Sequence, residues 1–208
     1  MSQSPTYRLC LNMIVRDEEH VIRECLDTVS PYIDYWVICD TGSEDATAAV
    51  IKGYFAEKGI AGELHHHPWQ DFGTNRTLAL DLVRGKARYA WVIDADDFLV
   101  GKPDLDRLVA GSYDLRYRLG DNCTYWRRQI FRMDLPWEYR GVVHEYPHCD
   151  SQSDAVRLDG AYLIVARGLG GARSRVSEIY ARDVSLLERA HADVPEDART
   201  VFYLAQSH

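Results

Sequence analysis

The stretch "ARYAWVIDADDFLVG", residues 87–101, combines an apolar run with a group of acids. Residues 90–93 have the composition of a buried strand, and the carboxylates Asp94, Asp96 and Asp97 follow at once. Acids at such a place either form the solvated end of a loop or hold a positively charged group. The sequence around them helps to decide between these two interpretations.

An apolar run followed by a helical pattern recurs through the first hundred residues. The runs predict strands, the third of them the weakest, and apolar residues at helical spacing predict helices. The predicted strands are 7–15, 35–40, 61–69 and 89–94, and the predicted helices are 20–29, 45–59 and 75–85. Strands that are apolar throughout are typical of parallel strands covered by helices on both faces. The sequence therefore predicts an α/β fold with a mostly parallel central sheet flanked by helices.

Polar segments follow three of these strands, at residues 16–19, 40–45 and 94–97. The carboxyl ends of parallel strands meet at one edge of the sheet, and ligands of such sheets bind beyond that edge. We therefore expect the three polar segments to line one site.

The second half of the chain has a different pattern. Its predicted elements are a short helix at 105–109, antiparallel strands at 113–119 and 124–133, a last strand at 160–166, and helices at 177–192 and 195–208. We expect one domain over residues 1–175 and a helical segment over 176–208. The last helix leaves Phe202, Tyr203 and Leu204 without a later segment to cover them, which suggests that the natural chain continues.

The charge balance limits the partners of the protein. The 32 acids against 24 lysines and arginines give a formal net charge of −8, which argues against nucleic acid and anionic membranes because phosphate contacts need clustered cations. The five cysteines have no metal-binding spacing, which favours a reducing compartment. The sequence has neither a signal core nor an apolar run of about 18 residues, so we expect a cytoplasmic protein without a transmembrane segment.

The acids of the opening stretch are candidates for a metal site. Asp94 and Asp96 are two positions apart, so in extended backbone their side chains point the same way, and a bend would let Asp97 join them. Carboxylates at a strand end suit Mg²⁺ or Mn²⁺, which bind through few protein ligands and substrate phosphates. The alternative is an acidic loop that caps the next helix, but the expected position on the ligand edge favours the metal.

Other polar residues on the expected edge are candidates for nucleotide binding. Asp40 ends a buried strand and could accept the N–H of a nucleobase, whereas the nearby Ser43 could simply cap the next helix. Arg16 and Asp17 follow the first strand and could reach the base or ribose. They could equally be the start of a helix.

Four further residues have two interpretations each. Asn75 and Arg76 begin the third predicted helix, where an amide and a guanidinium suit a ribose or diphosphate but also an ordinary helix N-terminus. His144 and Glu145 lie next to each other in an aromatic segment, and in a strand they would face opposite sides. One could then bind a metal and the other act as a general base, or both could form a hydrogen-bonded pair at a domain edge.

Two remaining features are less informative. The tract His65–His67 looks like a metal tract, but neighbouring strand residues alternate in direction, so we interpret it as structural. Arg167, Arg173 and Arg175 lie in a loop with Gly168, Gly170 and Gly171. This loop could be a lid over a phosphorylated ligand or a linker before the helices.

Taken together, these segments resemble the family 2 glycosyltransferases, which have the GT-A fold. The resemblance is carried by "LNMIVRDEEHVIRECLDTV", "ICDTGSEDAT", "NRTLAL", "WVIDADD" and "GVVHEYP". The last segment, "YARDVSLLERAHADVPEDARTVFYLAQSH", is similar to the bacterial group in which the transferase domain runs into tetratricopeptide repeats. The resemblance implies a Rossmann-like GT-A domain over 1–175 and the start of a repeat region over 176–208.

The resemblance also implies the chemistry. It implies a nucleotide-sugar donor, usually a UDP-sugar, with Mn²⁺ or Mg²⁺ and inversion at the anomeric carbon. By matching position, the donor would be contacted at Val15, Arg16, Asp17, Asp40, Asp94 and Ala95. Asp94 and Asp96 would form the DxD pair with Asp96 as the direct metal ligand, His144 a further ligand and Glu145 the catalytic base. The QxxRW motif of processive polysaccharide synthases is absent, which favours transfer of a single sugar to a glycan, lipid-linked or peptide acceptor. In the acceptor half, the sequence also lacks an "ED" pair that larger members of the family carry.

Three rival functions fit the sequence less well. A haloacid dehalogenase-type phosphatase has its nucleophilic aspartate on the first strand, whereas here the acids follow the fourth strand. A sugar-phosphate nucleotidylyltransferase would need a glycine-rich signature that "MIVRDEE" lacks. The third rival is a catalytically silent nucleotide-binding scaffold of the same fold, which only an assay separates from an enzyme.

Overall fold

The first four strands form the parallel half of one large sheet. The computed structural model of the chain describes residues 5–121, 123–151, 154–168 and 176–207. The strands of this half are β1 (Tyr7–Val15), β2 (Tyr35–Asp40), β3 (Gly62–His66) and β4 (Ala87–Val92). Their order is β3-β2-β1-β4 and all neighbours run parallel. The predicted α/β fold and the four predicted strands are confirmed.

The second half of the sheet is mixed in direction. The later strands are β5 (Asp97–Pro103), β6 (Ser112–Leu119), β7 (Cys123–Arg132), β8 (Trp137–Arg140), β9 (Tyr146–Cys149), β10 (Ala155–Arg157) and β11 (Gly160–Ala166). The sheet continues from β4 in the order β7-β6-β11-β5, with β10 also paired to β6. β7 runs antiparallel to β4 and β6, as predicted for the pair β6–β7. β8 and β9 form a separate two-stranded sheet.

Helices cover both faces of the parallel half. The helices are α1 (Ile22–Val29), α2 (Thr47–Lys58), α3 (Phe72–Asp81), α4 (Val176–Asp193) and α5 (Ala198–Ser207). α1 and α2 pack on one face, through side chains such as Leu26 and Phe55. α3 packs on the other face through Leu80. The α4–α5 pair packs through Leu186 and Leu187 on Val143, in the loop between β8 and β9.

Alternate residues of the central strands enter two different cores. In β2, Trp36 and Ile38 belong to the core under α1 and α2, whereas Tyr35 and Val37 belong to the core under α3. Every residue of β2 is buried. This two-sided burial explains why the strands are apolar throughout rather than alternating.

The structure differs from the sequence prediction around residue 100. Residues 105–109 contain a turn instead of the predicted short helix, although Leu105 and Leu108 are buried. The hydroxyl of Tyr113 accepts hydrogen bonds from the backbone N–H groups of Val109 and Ala110, at 2.6 and 2.8 Å. These donors are thus satisfied without a helix.

The unpredicted strand β5 matters for the site. It begins at Asp97 and pairs antiparallel with β11, so the acids of the opening stretch lie between two strands of the same sheet. The chain turns sharply there, since the N–H of Asp97 donates to the carbonyl of Asp94 at 3.1 Å. No helix in the described part of the chain is both long enough and apolar enough to cross a membrane.

Candidate active site

Hydrogen bonds join the polar segments that follow β1 and β2. The N–H of Thr41 donates to the carbonyl of Val15 at 2.9 Å. The N–H of Asp17 donates to Ser43 Oγ at 3.0 Å, and Asp17 Oδ1 accepts from the N–H of Glu44 at 2.8 Å. Ser43 therefore fixes the loop after β1, and α2 has no side-chain cap, so the suggestion that Ser43 caps this helix is wrong.

Asp40 is held rigidly at the carboxyl end of β2. The residue is buried, and its Oδ1 accepts from the N–H groups of Gly42 and Ser43 at 3.0 and 2.8 Å. Its Oδ2 lies 3.6 Å from Nδ1 of His66, whose side chain is 64% exposed. A fixed carboxylate beside an exposed imidazole suits the predicted contact with a nucleobase, which stays a prediction.

A buried arginine connects the acids after β4 with Glu145. Arg76, on α3, donates from Nη2 to Asp94 Oδ1 at 2.5 Å and from Nε to Glu145 Oε1 at 2.7 Å. Its side chain is 7% exposed and that of Glu145 10%. One guanidinium therefore contacts the first acid of the DxD pair and the candidate base.

The second partner of Asp94 is a residue that the sequence prediction missed. Arg127, on β7, donates from Nη1 to Asp94 Oδ2 at 2.9 Å. Burial opposes the charge on Asp94, but Arg76 and Arg127 outweigh it and hold the pKa of Asp94 far below its usual range. The only signal in the sequence is a basic pair, Arg127 and Arg128, inside an otherwise strand-like run. We call Arg76, Asp94, Arg127 and Glu145 the buried ion network.

Asp97 has a different environment from Asp94. Its Oδ2 is buried and has no hydrogen-bond partner among the described residues. Burial and the charge of Asp94 raise the pKa of Asp97 to about 8, although Arg127 opposes this shift. A cation next to these acids would favour the ionised form of Asp97.

The acids fit a divalent cation that takes few protein ligands. Asp94 pairs with two arginines. Asp96 is half-buried at the sheet edge and is the candidate ligand by its position in the DxD pair, as the family resemblance implies. In the described ranges no group of three or more His, Cys, Asp and Glu side chains could hold a metal ion. A cation at this place would therefore complete its shell with substrate phosphates and water, as Mg²⁺ usually does.

His144 lies in a loop and not in a strand. Residues 141–145 connect β8 to β9, so the argument that strand geometry sends His144 and Glu145 to opposite faces does not apply. The exposed His144 ring stacks on Tyr203 of α5, with ring centroids 4.2 Å apart. The structure thus does not combine His144 with Asp94 and Asp96 in a preformed three-ligand site.

Several predicted donor contacts have partners inside the protein. Asn75 is buried, with Oδ1 accepting from the N–H of Gln70 at 2.9 Å and Nδ2 donating to the carbonyl of Pro68 at 3.2 Å. The side chains of Val15 and Ala95 lie in the core, so donor contacts at these positions would be through the backbone. Arg16 is 48% exposed and lies 3.8 Å from Asp17 Oδ2. Their roles toward a donor stay predictions.

The histidine tract and Arg167 have partners inside the protein. The rings of His65 and His67 stack with centroids 6.1 Å apart, and His65 Nε2 lies 2.7 Å from Glu63 Oε2, as suits a structural role. Arg167 forms an ion pair with Glu24 and lies 4.1 Å over the ring of Phe98. The predicted lid residues Gly170, Gly171, Arg173 and Arg175 lie outside the described residues.

Comparison with known proteins identifies the family. Residues 10–149 match the sequence profile described as "Glycosyl transferase family 2". The chain belongs to glycosyl transferase family 2. The match includes the polar segments after β1, β2 and β4 and the loop with Glu145, so the resemblance inferred from the sequence is confirmed at the level of the family.

Curated relatives cover different parts of the chain. A TPR repeat-containing protein of Synechococcus elongatus is 35% identical over 94 residues, which are 45% of this chain and 21% of that protein. The SPbeta prophage-derived glycosyltransferase SunS of Bacillus subtilis is 21% identical over 98% of this chain and 50% of its own length. The chain thus spans about a fifth and about half of the length of these two relatives.

Solved structures of similar shape confirm the GT-A fold. S. aureus TarS 1–349 in complex with UDP-GlcNAc has a TM-score of 0.57 and 12% identity, covering 96% of this chain and 71% of that one. The mannosyltransferase PcManGT from Pyrobaculum calidifontis, in complex with GDP-Man and Mn²⁺, has a TM-score of 0.59 and 14% identity, covering 97% and 68%. At this level of identity the likeness concerns the fold alone.

Proposed function

We propose that the protein is a metal-dependent, inverting glycosyltransferase that moves a single sugar from a nucleotide-sugar to an acceptor hydroxyl. The observation that carries the proposal is the position of Arg76, which contacts both Asp94 and Glu145. Because one guanidinium spans both contacts, the donor-side acids and the candidate base belong to one site. Inversion by a single displacement needs this closeness, since the acceptor must attack the donor in line.

On this proposal, four carboxylates have separate roles in donor binding, metal binding and proton transfer. Asp40 would accept the N–H of the base, and the arginine pair would keep Asp94 ionised and fixed beside the donor. Asp96 would hold a divalent cation, which when bound supplies charge stabilisation to the departing nucleoside diphosphate. Glu145 Oε1 is occupied by Arg76, which leaves Oε2 to take the proton of the acceptor hydroxyl. The acceptor oxygen then bonds to the anomeric carbon as the bond to the diphosphate breaks.

The relatives support this class of reaction and widen the choice of donor. SunS is named a glycosyltransferase, and the structural neighbours hold UDP-GlcNAc in one case and GDP-Man with Mn²⁺ in the other. We propose a UDP-sugar as the first donor to test and a GDP-sugar as the second, with a glycan, lipid-linked or peptide acceptor.

The helical segment is proposed to begin a tetratricopeptide-repeat region. α4 and α5 form a packed pair of helices, which is the unit of such repeats, and the Synechococcus relative is named for its TPR repeats. On this proposal the GT-A domain covers residues 1–175 and the repeat region starts within 176–208.

Turnover of nucleotide-sugars tests the proposed function. We expect the wild-type chain with Mn²⁺ to release nucleoside diphosphate from at least one member of a panel of UDP- and GDP-sugars. Asp96→Asn and Glu145→Gln should each reduce the rate at least 100-fold, since the first removes the candidate ligand and the second the base. Asp106→Asn is the matched control, because this carboxylate is 93% exposed and lies outside the site.

The same panel of nucleotide-sugars distinguishes the enzyme from the silent scaffold. A wild-type chain that binds a nucleoside diphosphate but turns over no sugar donor would contradict the enzyme and favour the silent scaffold. Equal turnover by wild type and Glu145→Gln would instead refute the assignment of the base.

A further inference from the structure

The loop that carries Glu145 has a strained backbone conformation, which neighbouring residues must stabilise. Residues 141–145 join β8 to β9, and His144 has a φ of 54°. A side chain other than glycine is strained in this left-handed region, and such strain persists only where the surroundings fix it. Since His144 directly precedes Glu145, whatever fixes His144 also fixes the direction of the candidate base.

Part of the support comes from α3. The N–H of Phe72 donates to the carbonyl of Val142 at 3.3 Å, and Arg76 donates to Glu145. These contacts hold the start of the loop and the carboxylate itself. They hold the loop on both sides of His144, the strained residue between them.

The contacts to His144 come from α5. Arg199 Nη2 donates to the carbonyl of His144 at 2.6 Å, and the ring of Tyr203 stacks on His144 with planes 23° apart. The Arg199 guanidinium lies over the rings of Tyr146 and Tyr203, 4.6 and 5.0 Å from their centroids. We call Arg199 and Tyr203 the α5 clamp.

Apolar packing holds the clamp in place. Val143 is buried in a cluster with Leu186 and Leu187 of α4, against which Tyr203 and Leu204 also pack. The helix pair is therefore attached to the loop by a buried contact, a charged hydrogen bond and ring stacking. The partners of the clamp, His144 and Tyr146, lie on both sides of Glu145.

We propose that Arg199 and Tyr203 are positioning residues for Glu145. The helical segment would then fix the geometry of the candidate base in the active site. This inference rests on the proposed function, because it concerns the base of the proposed reaction. It goes beyond that function in assigning an active-site role to residues of the segment where a repeat region would begin. The clamp acts on the base and not on the donor, so it should change turnover without changing nucleotide affinity.

Variants of the clamp test the inference in the full chain. Arg199→Ala should lower kcat about 10- to 100-fold, the effect of a catalytic group displaced by about 1 Å, with an unchanged Kd for UDP or GDP. Arg199→Lys should recover part of the rate, because an ammonium can still donate to the carbonyl of His144. Val201→Ala, on an exposed position of α5, is the matched control and should behave as wild type.

A second readout separates this inference from the proposed function. Hydrogen exchange should be faster at the amides of residues 142–146 in Arg199→Ala than in wild type or Val201→Ala. If the wild-type chain turns over no nucleotide-sugar, the proposed function fails and the exchange rates alone decide whether the clamp fixes the loop. Wild-type turnover together with unchanged exchange in Arg199→Ala would overturn the inference. Tyr203→Leu, which keeps an apolar side chain against Val143, gives the same readouts if Arg199→Ala does not fold.

Discussion

At the scale of residues, the buried ion network serves the fold and the proposed reaction together. Arg76 is 7% exposed, and two carboxylates compensate its burial. Removing one partner of such a network leaves a buried charge without compensation, which costs about 3–5 kcal/mol. A loss of activity in an Arg76 variant would therefore not distinguish catalysis from stability. Asp96 is a better target because it is not a member of this network and can become an amide of similar shape. Glu145→Gln removes one of the two carboxylates that pair with Arg76, so its activity must be compared with its unfolding free energy.

The lowered pKa of Glu63, which lies outside the candidate site, predicts how the free energy of unfolding depends on pH. Burial acts to raise the pKa of Glu63, but hydrogen bonds from Lys86, Tyr35 and His65 outweigh it and lower the pKa to about 2. An unfolded glutamate has a pKa of about 4.3. The stabilisation by Glu63 should therefore be complete above about pH 5 and be lost as the pH falls from about 4.3 through about 2.

Denaturant unfolding of wild type and Glu63→Gln measures this contribution. The side chain is 32% exposed, so after screening by solvent we expect a difference of about 1–2 kcal/mol at pH 7. The difference should shrink as the pH falls from about 4.5 towards about 2, a range set by the two pKa values. A difference that stays constant across this range would contradict the low pKa.

The sequence predicts the types of side chain at the site better than their partners. Asp40 lies at the end of β2 and Asp94 follows the end of β4. Both strands run parallel to β1, so the rule that parallel strands end at one edge places the two acids on the same edge of the sheet. Arg127 could not be predicted as a partner of Asp94, because that contact depends on how β7 pairs with β4 across the sheet. Local patterns carry no information on such a long-range register.

At the scale of elements, buried strands are easier to predict than short surface segments. β1 and β2 have the predicted bounds because their apolar runs are bounded by charged breaks. α3 begins three residues before the predicted start, at Phe72, because Asp71 caps it by accepting from the N–H of Thr74 at 2.8 Å. The predicted helix at 105–109 is a turn in the structure, and the N–H of Val109 donates to the hydroxyl of Tyr113 instead of to a helical carbonyl.

The contact between α3 and the Glu145 loop predicts that alanine substitutions at Gly53 and Gly73 have opposite effects on stability. A Cβ on Gly73 of α3 would lie 2.5 Å from the carbonyl oxygen of Gly141, whereas a Cβ on Gly53 of α2 would meet nothing within 4 Å. Alanine favours a helix over glycine by about 1 kcal/mol. Gly53→Ala should therefore raise the unfolding free energy by about 0.5–1 kcal/mol, while Gly73→Ala should lower it by about 1–3 kcal/mol through overpacking.

Thermal or denaturant unfolding of both variants gives the comparison, and turnover adds a second test. Because Gly141 begins the loop that carries Glu145, Gly73→Ala should also lower kcat, whereas Gly53→Ala should leave it unchanged. Equal stabilisation by both substitutions would show that α3 and the loop are not in close contact.

At the scale of the whole molecule, the sheet provides the edge at which we propose that the donor binds, and other elements complete the site. The parallel half presents Asp40 and the acids after β4, as family 2 membership and the GT-A fold lead one to expect. The β8–β9 loop adds Glu145, and the helix pair α4–α5 packs against that loop. The site therefore depends on contacts between segments that are distant in the sequence.

The central claim is that the carboxyl edge binds a nucleoside diphosphate through a cation held by Asp96. Calorimetric titration of UDP and GDP into wild type and Asp96→Ala, with and without Mn²⁺, tests it most directly. We predict that wild type binds one of the two nucleotides at least 10-fold more tightly with Mn²⁺, and that Asp96→Ala loses this gain while remaining folded. Binding of neither nucleotide by wild type, or an equal gain from Mn²⁺ in Asp96→Ala, would contradict the account.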